Sequence, residues 1–262
     1  MNKSITSIKA IAKAPLDVLE LNLDGKRLKT LNPDIQLCVN LEVLSLQNNK
    51  LTEIPACIGV LSNLKEMYLG GNAISELPEG IGQLSQLRIL SLGGNPIKTL
   101  PSAIGNLKKL ETLKVDDGQL TELPQSLNTL SNLKELDLFR NPITTFLKDT
   151  SCLTKLSSLN ISQTELHEFP NSVLDLKALE YLAICSDSIT EIPLEIENLK
   201  SLKQLVLSGC PISTLPSSFK GLNTLEELSL YDTKIPVAQA KEWFASMPNL
   251  LRIEHPDAYL SR

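Results

Sequence analysis

The chain has 262 residues, of which 52 are leucine, while aromatic residues make up only 4%. Charged residues account for 21%, and no apolar run reaches the ~18 residues of a membrane-spanning helix, so the composition predicts a folded, soluble chain. Because the net charge is -5, with no basic surface for holding phosphates, we expect neither nucleic acid nor a membrane as a partner.

The N-terminal residues 1–17 are predicted to form a capping helix, because Ile5, Ile8 and Ile11 fall at helical spacing before Pro15. This stretch has no continuous apolar core of the kind that a secretory signal requires. The five cysteines have neither the paired spacing of a disulfide framework nor that of a metal site. They are Cys38, Cys57, Cys152, Cys185 and Cys210. Reduced thiols in a cytoplasmic chain are the simplest interpretation.

A 23-residue sequence pattern then occurs ten times in succession along the chain. Its repeats begin at Val18, Leu41, Leu64, Leu87, Leu110, Leu133, Leu156, Leu179, Leu202 and Leu225. We number these repeats one to ten and the positions within each repeat as places one to 23. Places one, four, six and eleven are apolar in every repeat. Residues 18–249 are therefore predicted to hold ten repeats, the last extended by two residues.

The C-terminal residues 250–262 are predicted to cap the array, so that the whole chain is one structural domain. Residues 238–247, with Trp243 and Phe244, have the pattern of a longer helix. The phrase Leu250-Leu251-Arg252-Ile253 predicts a final short strand that closes the core.

The alternation within each repeat predicts its local structure. Apolar residues at places four and six alternate with mostly polar ones at places five and seven, which is typical of a short strand with one buried face. Proline at place fifteen disfavours a long helix on the return path, so short helical or 3-10 turns are expected there. Asparagines at place nine are expected to satisfy backbone groups as a ladder; they are Asn49, Asn72, Asn95 and Asn141. Repeats without this asparagine, especially at the Asp116-Asp117-Gly118 turn, are expected to be looser.

The phrase resembles the leucine-rich repeat, most clearly at residues 64–74, which read Leu-Lys-Glu-Met-Tyr-Leu-Gly-Gly-Asn-Ala-Ile. The ending Leu-Pro-x-x-Ile-Gly, at residues 77–82 and 100–105, is similar to the 23-residue subclass of cytoplasmic Ras-pathway scaffolds, plant intracellular proteins and many bacterial proteins. The resemblance implies an α/β solenoid, a horseshoe arc with a parallel concave sheet of about ten to eleven short strands. It also implies protein binding rather than catalysis.

The concave face, which we define as places three, five, seven and eight, is predicted to carry the function. It holds nine acidic and two basic residues, a net charge of -7, so the expected partner is a protein with a basic surface. Four of the ten aromatic residues fall on it, either as interface anchors or as ordinary strand formers. The predicted partner-binding residues are Glu66, Tyr68, Lys114, Asp116, Asp117, Glu135, Asp137, Phe139, Arg140, Tyr181, Tyr231 and Asp232.

Two neighbouring repeats also carry Gly-Gly-Asn, at residues 70–72 and 93–95. The paired glycines either leave bare backbone that admits a bulky partner residue beside Tyr68, or simply suit the exit from the strand. The sequence leaves both interpretations open.

Catalytic and metal-binding patterns are weak. Neither His167 nor His255 is expected to reach Cys185, as a Cys-His nucleophile requires. Acids at Asp116, Asp117 and Asp137 lack a loop that could wrap a cation, and no phosphate-binding glycine loop occurs. We therefore predict no catalytic residue, no metal, no cofactor and a chain that is monomeric on its own. A signalling adaptor, or a secreted bacterial effector that binds a host protein with the same face, is the alternative, and an enzyme is a third hypothesis.

Overall fold

The described strands form one continuous sheet in which neighbours along the chain are also neighbours in the sheet. The computed structural model describes residues 4–5 and 14–262. Strands β1 to β12 run parallel, and β13 turns back antiparallel to β12. The bounds are β1 Ser4–Ile5, β2 Glu20–Asn22, β3 Val43–Ser45, β4 Glu66–Tyr68, β5 Ile89–Ser91, β6 Thr112–Lys114, β7 Glu135–Asp137, β8 Ser158–Ser162, β9 Tyr181–Cys185, β10 Gln204–Val206, β11 Glu227–Ser229, β12 Arg252–His255 and β13 Ala258–Ser261.

The register between strands follows the repeat. Leu44 lies opposite Met67, and Met67 opposite Leu90, so paired residues are 23 positions apart. From β11 to β12 the step is two residues longer, because Leu228 pairs with Ile253. The expected solenoid is confirmed. The sheet has 13 strands instead of the expected ten to eleven, because β1 and β13 are added at its two ends.

One apolar core runs the length of the arc. Places one, four, six and eleven point into it, and residues such as Leu64, Met67, Leu69 and Ile74 are fully buried. Each buried leucine side chain stabilises the fold by roughly 1.5–3 kcal/mol relative to exposure. Because every repeat contributes the same set, the core is an unbroken column, which fixes the strands' outward places on the concave face.

Short 3-10 turns line the convex side, as the place-fifteen prolines predict. Most begin directly after a proline in extended conformation, whose ring fixes the φ of the residue that leads into the turn. Their bounds are Pro15–Asp17, Pro33–Leu37, Ala56–Val60, Glu79–Gln83, Ser102–Asn106, Gln125–Thr129, Asn171–Asp175, Leu194–Asn198 and Ser217–Gly221. Within the described residues, repeat six has no such turn, and Leu147 stands there in place of the proline. The Thr150 hydroxyl donates instead to the Ser172 carbonyl, at 2.6 Å, and ties repeat six to repeat seven.

The C-terminal helix follows the expectation, whereas Ser4–Ile5, the two residues described within 1–13, form a strand. Helix α1, Val237–Ser246, buries Trp243 against Phe219, with ring centroids 5.2 Å apart. A helix is expected over residues 1–17, but Ser4–Ile5 is a strand that pairs with Glu20 and Leu21. The prediction is therefore wrong for these two residues. The physical reason is that the edge of β2 offers unpaired backbone groups. Pro15–Asp17 is a 3-10 turn, and the remainder of the predicted helix, at 1–3 and 6–13, lies outside the described residues.

The predicted asparagine ladder is confirmed. The Asn95 amide donates to the carbonyls of Leu69, at 3.0 Å, and Leu92, at 2.7 Å, and its oxygen accepts from the Ile74 N–H at 3.0 Å. The other three asparagines make the same three kinds of bond. Thr164 keeps one of these bonds, because its hydroxyl donates to a backbone carbonyl at 2.9 Å.

Candidate protein-binding face

Backbone conformation at place eight forms one border of the concave face. In nine of the ten repeats this residue has a positive φ, in the left-handed region where the chain turns away from the strand. Glycine holds the place in four repeats: Gly25, Gly71, Gly94 and Gly209. The conformation therefore accounts for the second glycine of each Gly-Gly-Asn, in favour of the strand-exit interpretation.

Non-glycine residues adopt the same strained conformation at the centre of the arc. Asp117, Arg140 and Gln163 have φ values of 50°, 53° and 54°. Such a conformation costs an ordinary residue roughly 1 kcal/mol, and it persists only where other contacts hold it. As a result, three polar side chains are presented side by side along the border of the face, one from each successive repeat.

Arg140 joins this border to the aromatic part of the face. Its Nε donates to Gln163 Oε1 at 2.6 Å, and its Nη1 donates to Asp117 Oδ1 at 3.3 Å. The guanidinium lies over the Phe139 ring, 4.9 Å from the centroid, in a cation–π contact. Phe139 is only half-buried, so the pair forms a platform with one open side.

Carboxylates crowd the strands beside this platform. Asp137 is half-buried, and this burial raises its pKa. The Phe139 N–H donates a hydrogen bond to Asp137 Oδ1 at 3.1 Å, and this bond lowers the same pKa. The negative charge of Asp116 raises the pKa of Asp137 further. Lys114 lies opposite Asp137 in the register, but its ammonium donates to Glu135 at 2.7 Å, and this bond raises the pKa of Lys114. The one nearby lysine is thus already paired with another carboxylate.

A second group lies nearer the N-terminal end. The Tyr68 hydroxyl donates to Glu66 at 2.8 Å, and burial, together with that carboxylate, raises the pKa of Tyr68 to about 12. Tyr68 also lines a concave pocket of about 250 Å³. The other lining residues are Glu20, Leu21, Asn22, Asp24, Val43, Ser45 and Gln47. Glu20 and Asp24 belong to the nine acids of the concave face, but the repeat pattern does not show that Tyr68 forms the wall of a pocket beside them.

The remaining predicted residues extend the face toward the C-terminal end. Tyr181 lies on β9, half-buried, and its pKa is raised by burial and by the charge of Asp137. Tyr231 is 44% exposed, and Asp232 occupies a left-handed place eight. At ~4.8 Å per strand, Tyr231 lies roughly 19 Å from the level of Asp137, so the structure does not bring Tyr231 close to the residues around Asp137.

Eight of the twelve predicted residues lie together in the middle of the concave face, and we call them the central group. They are Lys114, Asp116, Asp117, Glu135, Asp137, Phe139, Arg140 and Tyr181. Each of them occupies an outward place of repeats five to eight: place three or five on strands β6 to β9, place seven just after the strand, or place eight in the border. This group is therefore the best-connected part of the candidate site.

Nucleophilic and metal-binding chemistry finds little support in the described part of the chain. Both ring nitrogens of His255 are engaged, with the Ile235 carbonyl at 2.8 Å and the Asp257 N–H at 3.1 Å. Burial raises the pKa of Cys185, which favours the unreactive thiol, and all five cysteines are free. Across residues 4–5 and 14–262, no three His, Cys, Asp or Glu residues are grouped so that they could hold a metal ion. In the same part of the chain, no helix has the length and apolarity to cross a membrane.

Comparison with known proteins agrees with the architecture. The similar solved structures include plant and bacterial proteins. One is the internalin inlF from Listeria monocytogenes, which is 22% identical with a TM-score of 0.60; the match covers 98% of this chain and 85% of that one. The Arabidopsis receptor kinase HAESA, in complex with the peptide hormone IDA and the co-receptor SERK1, is 27% identical with a TM-score of 0.73, covering 83% and 39%. The plant peptide hormone receptor RGFR1, in complex with RGF2, is 24% identical with a TM-score of 0.70, covering 91% and 43%. This chain therefore spans less than half the length of either plant receptor structure.

Family models give the assignment. No curated protein matches the sequence. A model described as "Leucine Rich Repeat" matches residues 201–222, and one described as "Leucine-rich repeat region" matches residues 26–175, which is more than half of the chain. Proteins with this fold are generally non-catalytic interaction modules. The chain belongs to the leucine-rich repeat family.

Proposed function

We propose that this chain is a non-catalytic protein-binding module whose concave face holds a basic segment of another protein. The observation that carries the proposal is a surplus of carboxylates. Of the nine acids on the concave face, six have no cationic partner within 4.0 Å among the described residues. They are Glu20, Asp24, Glu66, Asp116, Asp137 and Asp232.

Electrostatic repulsion within the central group favours such a partner. Burial is the largest cause of the raised pKa of Asp137, and the like charges of Asp116 and Glu135 raise that pKa further. A lysine or arginine from a partner would be attracted by all three carboxylates and would relieve the repulsion. Binding a cation therefore releases unfavourable energy that is already present in the free protein.

The Phe139–Arg140 platform supplies the apolar part of the recognition. A basic side chain carries a long aliphatic stem, which can pack on the open side of the Phe139 ring while its charged end reaches Asp137. Aromatic residues and arginines are the side chains that most often dominate binding energy at interfaces. HAESA and RGFR1, in their complexes, hold peptide hormones, which supports the general idea that a repeat array of this kind can hold an extended peptide.

The proposal is tested with a fluorescein-labelled peptide of ten lysines and with the intact chain. Asp137→Lys should weaken binding by about tenfold or more, whereas the matched charge change Glu122→Lys, at an exposed convex position, should leave affinity within about twofold. Phe139→Ala should also weaken binding. Association should slow as salt is added. Equal losses for Asp137→Lys and Glu122→Lys would show that only net charge matters, and a cellular partner captured equally by both variants would contradict the assigned face.

The proposal also includes a monomeric protein in the cytoplasm. The free thiols suit a reducing compartment. Sedimentation at micromolar concentration should give the mass of one chain, and cell fractionation should place the protein in the cytosol. A stable dimer, or recovery only outside the cell, would contradict these parts of the proposal without affecting the concave face.

A further inference from the structure

A second charged surface lies beside the starts of the strands, and its sign is opposite to that of the concave face. We define this strand-start flank as places 22, 23 and two between residues 39 and 226. It holds nine basic and four acidic residues, a net charge of +5, in a chain whose overall charge is -5. The basic residues, all exposed, are Lys65, Arg88, Lys108, Lys109, Lys134, Lys155, Lys177, Lys200 and Lys203.

Contacts between repeats show how a carboxylate fits into this flank. Glu111 accepts from Arg88 Nε at 2.7 Å and from Lys134 Nζ at 2.6 Å. These bonds, the one from Lys134 first, lower the pKa of Glu111. A carboxylate between two stacked cations is therefore a favourable arrangement that the flank already contains once.

Five lysines of the flank have no carboxylate partner among the described residues. They are Lys108, Lys109, Lys155, Lys177 and Lys200. Where these ammonium groups bond, they bond to neutral oxygens: Lys155 donates to Asn132 Oδ1 at 2.7 Å, and Lys177 to the Leu174 carbonyl at 2.7 Å. A carboxylate carries a full negative charge that a neutral oxygen lacks, so Coulomb attraction favours an incoming carboxylate over these neutral acceptors.

An open pocket of about 380 Å³ lies within the flank. It is lined by Lys65, Gln86, Arg88, Lys109, Glu111 and Asn132. Three cations and two amides surround a single acid there, and that acid is already engaged by Arg88 and Lys134. The pocket therefore offers cationic and amide donors to the carboxylate of a visiting side chain.

We propose that the strand-start flank binds an acidic, extended segment of a second protein. Six strand steps separate the levels of Lys65 and Lys203, about 29 Å at ~4.8 Å per strand, and roughly ten extended residues cover that length. A flexible segment can place its carboxylates beside the lysines and avoid Glu111 and Glu180, the two flank glutamates between those levels. A planar anionic membrane would meet those glutamates together with the chain's overall negative charge, so a protein segment fits better.

The test uses a fluorescein-labelled peptide of ten glutamates and two triple variants of the intact chain. The flank variant is Lys108→Glu, Lys109→Glu and Lys155→Glu. The control variant, Lys98→Glu, Lys148→Glu and Lys241→Glu, changes net charge equally at exposed positions outside the flank. We expect the flank variant to lose about tenfold or more in affinity and the control to stay within about twofold, with circular dichroism showing both folded.

Other arms of the experiment separate this proposal from the concave-face proposal. The flank variant should still bind the ten-lysine peptide, because that peptide uses the opposite charge. Equal loss of the ten-glutamate peptide in both triple variants would overturn the flank proposal. So would binding to phosphatidylserine vesicles without binding to the peptide, or salt-sensitive self-association that the flank variant abolishes, since either outcome identifies a different occupant.

Discussion

Replacing two ladder asparagines with alanine tests how the repeats are held together. Asn95 and Asn72 make the same three bonds, with lengths of 2.7–3.0 Å for Asn95 and 2.8–3.1 Å for Asn72. They differ in burial, because Asn95 is 1% exposed whereas Asn72 is partly exposed. They also differ in redundancy, because both carbonyls that Asn72 serves accept from a second asparagine, whereas the Leu92 carbonyl accepts from Asn95 alone among the described side chains.

Asn95→Ala leaves the Leu92 carbonyl and the Ile74 N–H of the buried backbone without a side-chain partner, whereas the Leu69 carbonyl keeps its bond from Asn72. A buried group without a partner costs about 1–3 kcal/mol, so at the low end the two groups together cost about 2 kcal/mol. Asn72→Ala leaves only the Leu51 N–H, because the Leu46 and Leu69 carbonyls keep their bonds from Asn49 and Asn95, and the expected cost is about 1 kcal/mol at most. With a urea dependence of about 3 kcal/mol/M, the Asn95 substitution shifts the unfolding midpoint by ~0.7 M and the Asn72 substitution by half of that or less.

Urea unfolding, followed by far-ultraviolet circular dichroism and by Trp243 fluorescence, measures both midpoints. Trp243 lies in α1 at the C-terminal end, so coincident transitions also show that the array unfolds as one unit. Equal midpoint shifts for the two variants would refute this reasoning, because neither burial nor the number of backbone groups left without a partner would then affect the stability of the ladder.

Three further substitutions separate binding from stability. Asp137→Asn should stabilise the fold by about 0.5 kcal/mol at pH 7. The pKa of Asp137 is raised in the folded protein, so ionised Asp137 destabilises the fold relative to the protonated form. The gain in stability from Asp137→Asn should therefore vanish below the unfolded pKa of ~3.9, and urea unfolding at pH 7 and at pH 3 can show this. Gly93→Ala should weaken binding of the ten-lysine peptide several-fold in fluorescence anisotropy, because its Cβ would lie 2.7 Å from the Asp116 Cγ and displace that carboxylate. Asp117→Gly should change stability by less than about 0.5 kcal/mol. Glycine relieves the strain of the left-handed conformation, and this gain offsets the loss of the exposed ion pair with Arg140 and the greater freedom of glycine in the unfolded chain. The substitution should nevertheless weaken peptide binding.

Each of these has a control within the same chain. A persistent gain for Asp137→Asn at pH 3 would mean that the effect is not electrostatic. If Gly93→Ala acts through Asp116, combining it with Asp116→Ala should add nothing to the loss caused by Asp116→Ala alone. A large loss of stability for Asp117→Gly would show that the bond to Arg140 contributes more than an exposed ion pair should.

The sequence predicts the regular part of the fold because a single period determines it. Once places one, four and six must be buried in every repeat, strands such as β4 and β5 have only one register that buries them together. The Asn95 ladder follows in the same way, since the asparagine recurs where the backbone leaves the strand. Local departures follow from single residues that the period does not show. In repeat eight, the buried Ser186 hydroxyl at place eight donates to the Leu166 carbonyl, whereas Asp187, at the place of the ladder asparagines, is exposed.

The candidate site was harder to predict than the fold. Charge counting identifies the acidic face, but it does not show that Lys114 is already engaged by Glu135 or that Arg140 lies over Phe139. Those contacts depend on side-chain conformations, which the repeat does not fix. The basic flank was missed for a different reason: place two alone contains equal numbers of acids and bases, and the surplus appears only when places 22 and 23 are included.

The two charged surfaces adjoin, because places two and three are consecutive residues of each repeat. A basic partner is therefore attracted by the concave face and repelled by the flank beside it, so the flank should limit the directions from which that partner can approach. Reversing Lys108, Lys109 and Lys155 to glutamate should consequently raise the association rate of the ten-lysine peptide at low salt, although none of the three lies on the concave face. The difference should disappear near 1 M salt, where the Debye length is ~3 Å. Stopped-flow fluorescence measures both rates, and an unchanged or slower association at low salt would mean that the flank does not influence how a basic partner reaches the concave face.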